Sequence, residues 1–498
     1  MGHFSWPIDG GIIGLYLLAT MIAGIGVRRY VGKVEHFLVA GREMNLYLGI
    51  ASLAATEFGI VTCMYTAQNG FEKGFSGATP GLLNAAAMFL VGITGFCVKP
   101  LRDSGVMTIP ELFDKRFGKN VRWLAGVVIV LGGLLNMGVF LRTGGEFLVL
   151  VCGFSSDYIR NTHYLEITMT VLLLSVMLYT VLGGMLSVLV TDFLQFIVMS
   201  VGLIAVTILV LVNVGWSRMM TAVEAHYGEG GFNPFANEDM GVPYVLFNLL
   251  ITFAAVLTWQ TTIQRVLAAK DTKTGRQVYT RTSFFFVCRF LIPALWGIGA
   301  LAVLTPEQYG GNTLYAMPIF LGTFVPIGLM GVLIAAMLAA DMSTDSSYML
   351  TWGGIIYNDI LAPFRKRVHS DKQGILWNRC IVACIGIFLM IWGLWYKLEG
   401  DLWTYLGVTG TIYLSSMSVL LIACCYWKRA NDWGAYGAII CGAAVPVLFL
   451  VLEIAWGKPA LVDLFGKHVA YWSGISAYAI AALAMIAGSL LKPQQGRA

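Results

Sequence analysis

The chain has 498 residues, 58% of them hydrophobic and only 12% charged, with a net charge of +5. That balance excludes a string of soluble domains and assigns the length to membrane spans. Nine cysteines form no C-x-x-C pair, and the six histidines (His3, His36, His163, His226, His369, His468) fall in loops or at span ends, so no disulfide framework, zinc site or haem is signalled.

Apolar runs predict an all-α polytopic membrane protein with thirteen transmembrane helices, at 10–30, 46–70, 78–98, 123–151, 163–183, 186–213, 243–268, 282–304, 327–360, 378–396, 402–426, 433–453 and 468–491. The first run has no basic residue before it and no A-x-A-like site after it, and reads as a retained span rather than a signal peptide. Lys and Arg divide unevenly between alternate loops, 23 on one side against six (Lys73, Arg160, Arg218, Lys397, Lys458, Lys467) on the other. The positive-inside rule then puts the N-terminus outside and the C-terminus, which ends at Ala498, in the cytoplasm of a cell with the chain in its plasma membrane. This loop bias accounts for the net charge with lipid alone as partner and no nucleic acid.

In chain order, the second span is interrupted at mid-depth by Glu57 and Gly59, with Thr56 and Thr62 beside them. A carboxylate there costs on the order of 3 kcal/mol on insertion scales, so it must face a cavity or a partner. In the fourth span Arg142 and Glu146, four apart, can neutralise each other along one helix face. The seventh span carries a similar polar interruption, Thr258-Trp259-Gln260-Thr261-Thr262, and Arg265 follows it. Interrupted spans five apart in order point to an inverted-repeat transporter with its site at mid-membrane, although threonines can also serve plain helix packing. Arg289, in the eighth span, has no local acid; structural pairing with Asp341 or Asp345 and a role in binding are its two expected uses. The ninth span reads LIAAMLAADMSTDSSYML from Leu333 to Leu350. At about 100° per residue, Ala340, Ser343, Thr344, Ser346 and Ser347 share one broad face, and Asp341 with Asp345 the opposite one. Uncharged oxygens on one face suit a hard cation held weakly enough to leave again.

Six segments in order, FLVAGR (Phe37–Arg42), TIPELFDKRFG (Thr108–Gly118), YTVLGGMLSVLVTDFLQ (Tyr179–Gln195), QRVLAAK (Gln264–Lys270), the ninth-span run and WKRANDWGAYGAIICG (Trp427–Gly442), make the chain resemble the sodium:solute symporter family nearly end to end. The resemblance implies a single transporter domain with a five-plus-five inverted-repeat core of LeuT type. Its parts are a first span and loop (1–45), a first repeat (46–213), a second repeat (243–426) and two peripheral spans (427–498). It further implies a sodium ion held by the carbonyls of Ala55, Phe58 and Ala340 and the hydroxyls of Ser343 and Thr344. Some members look to hold a second sodium at the positions of Asp192, Ser346 and Ser347; from the sequence alone Asp192 could be an ordinary solvated residue near the cytoplasmic end of its span, but the TD-x-x-Q pattern around it favours the ion role.

The function expected is sodium-coupled import of a small organic solute by alternating access, with no enzymatic activity. Glu57, Gly59, Thr62, Trp259 and Gln260 form the expected solute-binding set. An acid there, as in the proline-transporting branch, together with an aromatic face suits an amino acid or another amine. A sodium- or proton-coupled carrier of a neutral solute such as a sugar is the alternative, and a transporter-like sensor a more distant one. Asp341 and Asp345 depart from the family's hydroxyl-rich pattern.

Overall fold

The computed structural model of the protein describes residues 4–154, 163–365, 369–396 and 401–492. The expectations placed on His3, Arg160, Lys366, Arg367, Lys397 and Arg497, and on the chain's end at Ala498, lie outside the described residues. Among those described, the fold is helical apart from one isolated bridge between Met44 and Ala269.

The first span is α1 (Asp9–Gly26). The second is broken into α2 (Leu46–Glu57) and α3 (Ile60–Lys73), and α4 (Thr79–Thr94) follows. The fourth is α5 (Lys119–Met137) and α6 (Phe140–Val151). Next comes α7 (Tyr164–Asn213), whose 50 residues would reach about 75 Å if straight, against a hydrocarbon core of about 30 Å. Gly184 breaks it at φ 56° and ψ −147°, and a Cβ there would stand 2.6 Å from the Phe37 ring, so glycine alone fits. After α7 come α8 (Gly241–Thr258), α9 (Gln260–Ala268), α10 (Thr272–Val303), α11 (Leu329–Ile355), α12 (Asp371–Trp395), α13 (Leu402–Tyr426), α14 (Asp432–Trp456) and α15 (Val469–Leu491).

Eleven helical stretches of the described residues are long and apolar enough to cross a membrane. Two of them, Ile60–Thr94 and Tyr164–Asn213, each contain a reversal or break between two spans, which brings the eleven to about thirteen crossings. The stretch containing α11 is the most enclosed, with 89% of its apolar window buried, whereas that of α1 is 17% buried and offers Leu15, Leu18 and Ile22 outward. A bundle of this kind needs no buried face on its periphery, because lipid is as apolar as leucine.

The two interruptions predicted from polar residues are real breaks. α2 stops at Glu57, with Phe58 at φ −112° and ψ 55°, and α8 stops at Thr258, with Trp259 at φ −65° and ψ 114°. Irregular backbone inside a bundle is tolerated where protein or a cavity replaces the lost hydrogen bonds. α11 packs against α7, α1, α2 and α9, so its polar face meets both breaks. The Met44–Ala269 bridge ties the start of α2 to the end of α9 through Met44 N to Ala268 O at 3.1 Å and Lys270 N to Met44 O at 3.0 Å.

Candidate functional site

The hydroxyl face of α11 lies against the break after α2. Thr344 Oγ1 stands 2.8 Å from the main-chain oxygen of Thr56 and 2.9 Å from that of Ala340. This approach depends on Gly59, because a Cβ there would lie 2.6 Å from Thr344 Oγ1. Ser343 donates to Asp192 Oδ1 at 2.6 Å, and Ser346 donates to the main-chain oxygen of Ser343 at 3.1 Å. A hydroxyl that gives its proton to a neighbour keeps its lone pairs, so Ser343 and Thr344 remain able to accept a cation. The end of α2 supplies carbonyls beyond the helix ladder, with Ala55 taking only a 3.3 Å bond from Phe58 N. Ala55, Phe58, Ala340, Ser343 and Thr344 are all buried around this junction.

Asp192, from α7, is wholly buried and collects partners from three elements, α2, α9 and α11. Ser52 of α2 donates to its Oδ2 at 2.5 Å, and Arg265 of α9 places Nη2 3.1 Å from the same oxygen. The guanidinium also donates to Thr56 Oγ1 at 2.6 Å, Ser347 Oγ at 2.5 Å, Ser52 Oγ at 3.0 Å and the Thr261 carbonyl at 3.2 Å. A tethered cation therefore sits among Asp192, Ser347 and Thr56. Sequence reasoning noted Arg265 inside a span and gave it no partner. The signal was there in outline, since a buried guanidinium requires a buried carboxylate, and Asp192 is one.

Glu57 caps the other side of the break. Its Oε1 accepts Thr261 Oγ1 at 2.8 Å and Thr262 Oγ1 at 3.0 Å, both in the first turn of α9, where a helix N-terminus favours negative charge. Its Oε2 is 3.4 Å from Arg289 Nη1. The expectation that Arg289 pairs with Asp341 or Asp345 is therefore corrected. Arg289 reaches α3, donating from Nη2 to Thr62 and Tyr65, while the two aspartates point the other way. The carboxylate of Asp341 lies at Gly144 of α6, where a Cβ would be 3.1 Å from its oxygens. Asp341 Oδ2 and both oxygens of Asp345 are buried without a hydrogen-bond partner among the described residues. Arg142 does pair with Glu146, at 2.9 Å.

A cavity opens beside this junction, walled by Thr56, Glu57, Thr62, Tyr65, Asn84, Asn136, Trp259, Thr262, Phe286, Arg289, Phe290, Thr344, Tyr348 and Trp403. Trp259 donates from Nε1 to Tyr348 OH at 2.9 Å and stacks on Tyr413 at 5.9 Å. Three of the five expected solute residues, Glu57, Thr62 and Trp259, are brought together here. Gly59 lies under Thr344 instead, and Gln260 faces a separate crevice with Leu38, Thr108 and Gln264. Thr344 borders both the junction of α2 with α11 and the cavity, so the two are contiguous.

A family model described as the sodium:solute symporter family matches residues 37–442. The chain is similar to the sodium/glucose cotransporter 4 of Danio rerio, 24% identical over 492 residues that cover 91% of this chain and 73% of that one. It is likewise similar to the sodium/myo-inositol cotransporter of Mus musculus, 25% identical over 499 residues, covering 91% and 68%. In fold it is similar to a sodium-coupled sialic acid symporter solved in a substrate-bound outward-open state, with a TM-score of 0.80, 20% identity and 99% of both chains covered.

Proposed function

The chain belongs to the sodium:solute symporter family and is a sodium-coupled solute symporter rather than an enzyme, and from that premise we propose that its cargo is a small polyhydroxylated solute of the sugar or polyol class. One observation carries this reading. Glu57, which would have served an ammonium group, is already matched by Arg289, Thr261 and Thr262. The rest of the cavity offers hydroxyls, the amides of Asn84 and Asn136, and the faces of Trp259, Tyr348 and Trp403. Such a wall hydrogen-bonds hydroxyls and packs on the apolar faces of a sugar ring. The amine expectation thereby loses its free carboxylate, and relatives named for glucose and myo-inositol favour the sugar alternative.

In this reading one sodium ion binds the carbonyls of Ala55, Phe58 and Ala340 and the hydroxyls of Ser343 and Thr344, all buried around the break after α2. Asp192 acts on this site through Ser343, whose proton it accepts, leaving the oxygen more negative. A second sodium at Asp192, Ser346 and Ser347 would have to compete with the Arg265 guanidinium, so one sodium per cycle is the reading favoured. The ligands divide between α2 and α11, so an ion bound in one arrangement of these helices shifts the population towards it. Operation is inward across the plasma membrane, with the N-terminus outside. The test is uptake into proteoliposomes under an inward sodium gradient. Labelled hexoses and inositol should accumulate in a sodium-dependent way or compete for one carrier. Sodium-dependent uptake confined to amino acids would overturn the reading.

A further inference from the structure

The guanidinium of Arg289, partly buried like that of Arg122, is held less tightly than those of Arg122 and the fully buried Arg265. Arg122 is held by Asp359 at 2.8 Å, Asp114 at 3.0 Å and the Asn358 carbonyl at 2.7 Å, and Arg265 by contacts between 2.5 and 3.2 Å. Among the described residues Arg289 makes two hydrogen bonds, both 3.3 Å long and both to neutral hydroxyls, Thr62 and Tyr65. Its Nη1 is 3.4 Å from Glu57 Oε2, close enough for charge attraction but not hydrogen-bonded to it, and Nε has no partner. The rings of Phe286 and Phe290 lie 5.2 and 5.4 Å from its centre and fix it at the cavity wall. Glu57 is in the reverse situation, since Oε1 is saturated by Thr261 and Thr262. Both charges line the cavity, and among the described residues Arg289 keeps Nε and Nη1 free of hydrogen bonds, whereas Oε1 of Glu57 is taken by Thr261 and Thr262.

Charge balance points the same way. Glu57 and Arg289 cancel, so the cavity becomes positive by one charge when sodium binds beside Thr344. A neutral cargo leaves that charge unmatched in a site of low dielectric, whereas one carboxylate cancels it. Arg is suited to this task, because its parallel N–H groups meet a carboxylate in two-point geometry.

We infer that the cargo is an acidic sugar, a polyhydroxylated solute whose carboxylate docks on the Nη1 side of Arg289. The inference rests on the sugar reading above and narrows it. The carboxylate occupies the Arg289 wall, and the hydroxyls reach Asn84, whose Oδ1 has no partner, and the Tyr348 side.

The experiment uses the full chain in proteoliposomes with an inward sodium gradient and matched pairs of solutes, D-glucuronate with D-glucose and D-galacturonate with D-galactose. The acid of at least one pair should be taken up, or should compete, at least tenfold better than its neutral partner. Arg289→Gln should erase that preference, read as the ratio of acid to neutral uptake within a pair, and Arg289→Lys should restore part of it. A folding defect would lower both members of a pair equally, so the ratio is the diagnostic quantity. If the neutral member is preferred in both pairs, or if Arg289→Gln leaves the acid preference intact, the acidic-sugar inference is overturned and the sugar reading stands. If no sugar, acid or neutral, is carried with sodium, the sugar reading falls with it.

Discussion

Arg265 Nη2 lies 3.1 Å from Asp192 Oδ2, and both side chains are sealed from solvent. They are 73 residues apart in the chain and join α9 to α7, with Ser52, Thr56 and Ser347 hydrogen-bonded around them. Breaking a buried pair from one side leaves an uncompensated charge, at a cost of about 3–5 kcal/mol. Arg265→Gln should therefore lower the melting temperature sharply in sodium-free buffer. Sodium should then restore more stability to this variant than to the wild type, because a vacated Asp192 can take an ion, and the Hill coefficient of sodium activation should rise above that of the wild type. An unchanged response to sodium would remove the competition between guanidinium and ion.

Ser343→Ala and Thr344→Ala each delete an oxygen proposed for the first sodium. A hydrogen-bond-scale interaction with a charge amounts to about 1.5–3 kcal/mol, so the sodium concentration for half-maximal uptake should rise roughly tenfold or more. Gly59→Ala should behave similarly, since its Cβ would collide with Thr344 Oγ1. Met342→Ala and Met349→Ala, both in the packed core, should lower stability yet leave the sodium midpoint in place. A midpoint shifted alike in both groups would mean that α11 only packs.

Glu57→Gln keeps oxygen for Thr261 and Thr262 but removes the charge beside Arg289. Sodium-induced stabilisation, read as a thermal shift, should survive, and the overall melting temperature should fall. Loss of the sodium response in this variant would make Glu57 an ion ligand.

Asp341 and Asp345 are buried with no basic group bonded to them among the described residues. Their replacement by Asn, singly, should leave the thermal stability equal or higher, because an unpaired buried carboxylate contributes nothing favourable to the fold. A large loss of stability in either variant would reveal a cation bound between α11 and α6.

Much of this architecture was legible from local sequence. The spans follow from apolar runs, and the two breaks from Glu57, Gly59 and the run Thr258 to Thr262, because polar groups at mid-depth are expensive wherever they occur. The hydroxyl face of α11 followed from the period of a helix. The pairings of the charges did not follow. Arg289 was expected at Asp341 or Asp345, and its pairing with Glu57 instead depends on which way α10 and α11 turn against α2 and α3. Gln260 shows the same limit at short range: one residue past Trp259 is about 100° around the new helix, and the side chain leaves the cavity for another crevice.

Glu57 closes α2, and its two threonine partners open α9, so a single carboxylate clasps the two discontinuities of opposite repeats to each other. The Met44–Ala269 bridge fastens the outer ends of those same half-helices. Two joints pinned at both ends cannot swing separately. Joined in this way, α2 and α9 form one lever, and an ion bound at the carbonyls proposed for it on α2 would pull on the Trp259 wall of the cavity with no intermediate part to absorb the motion.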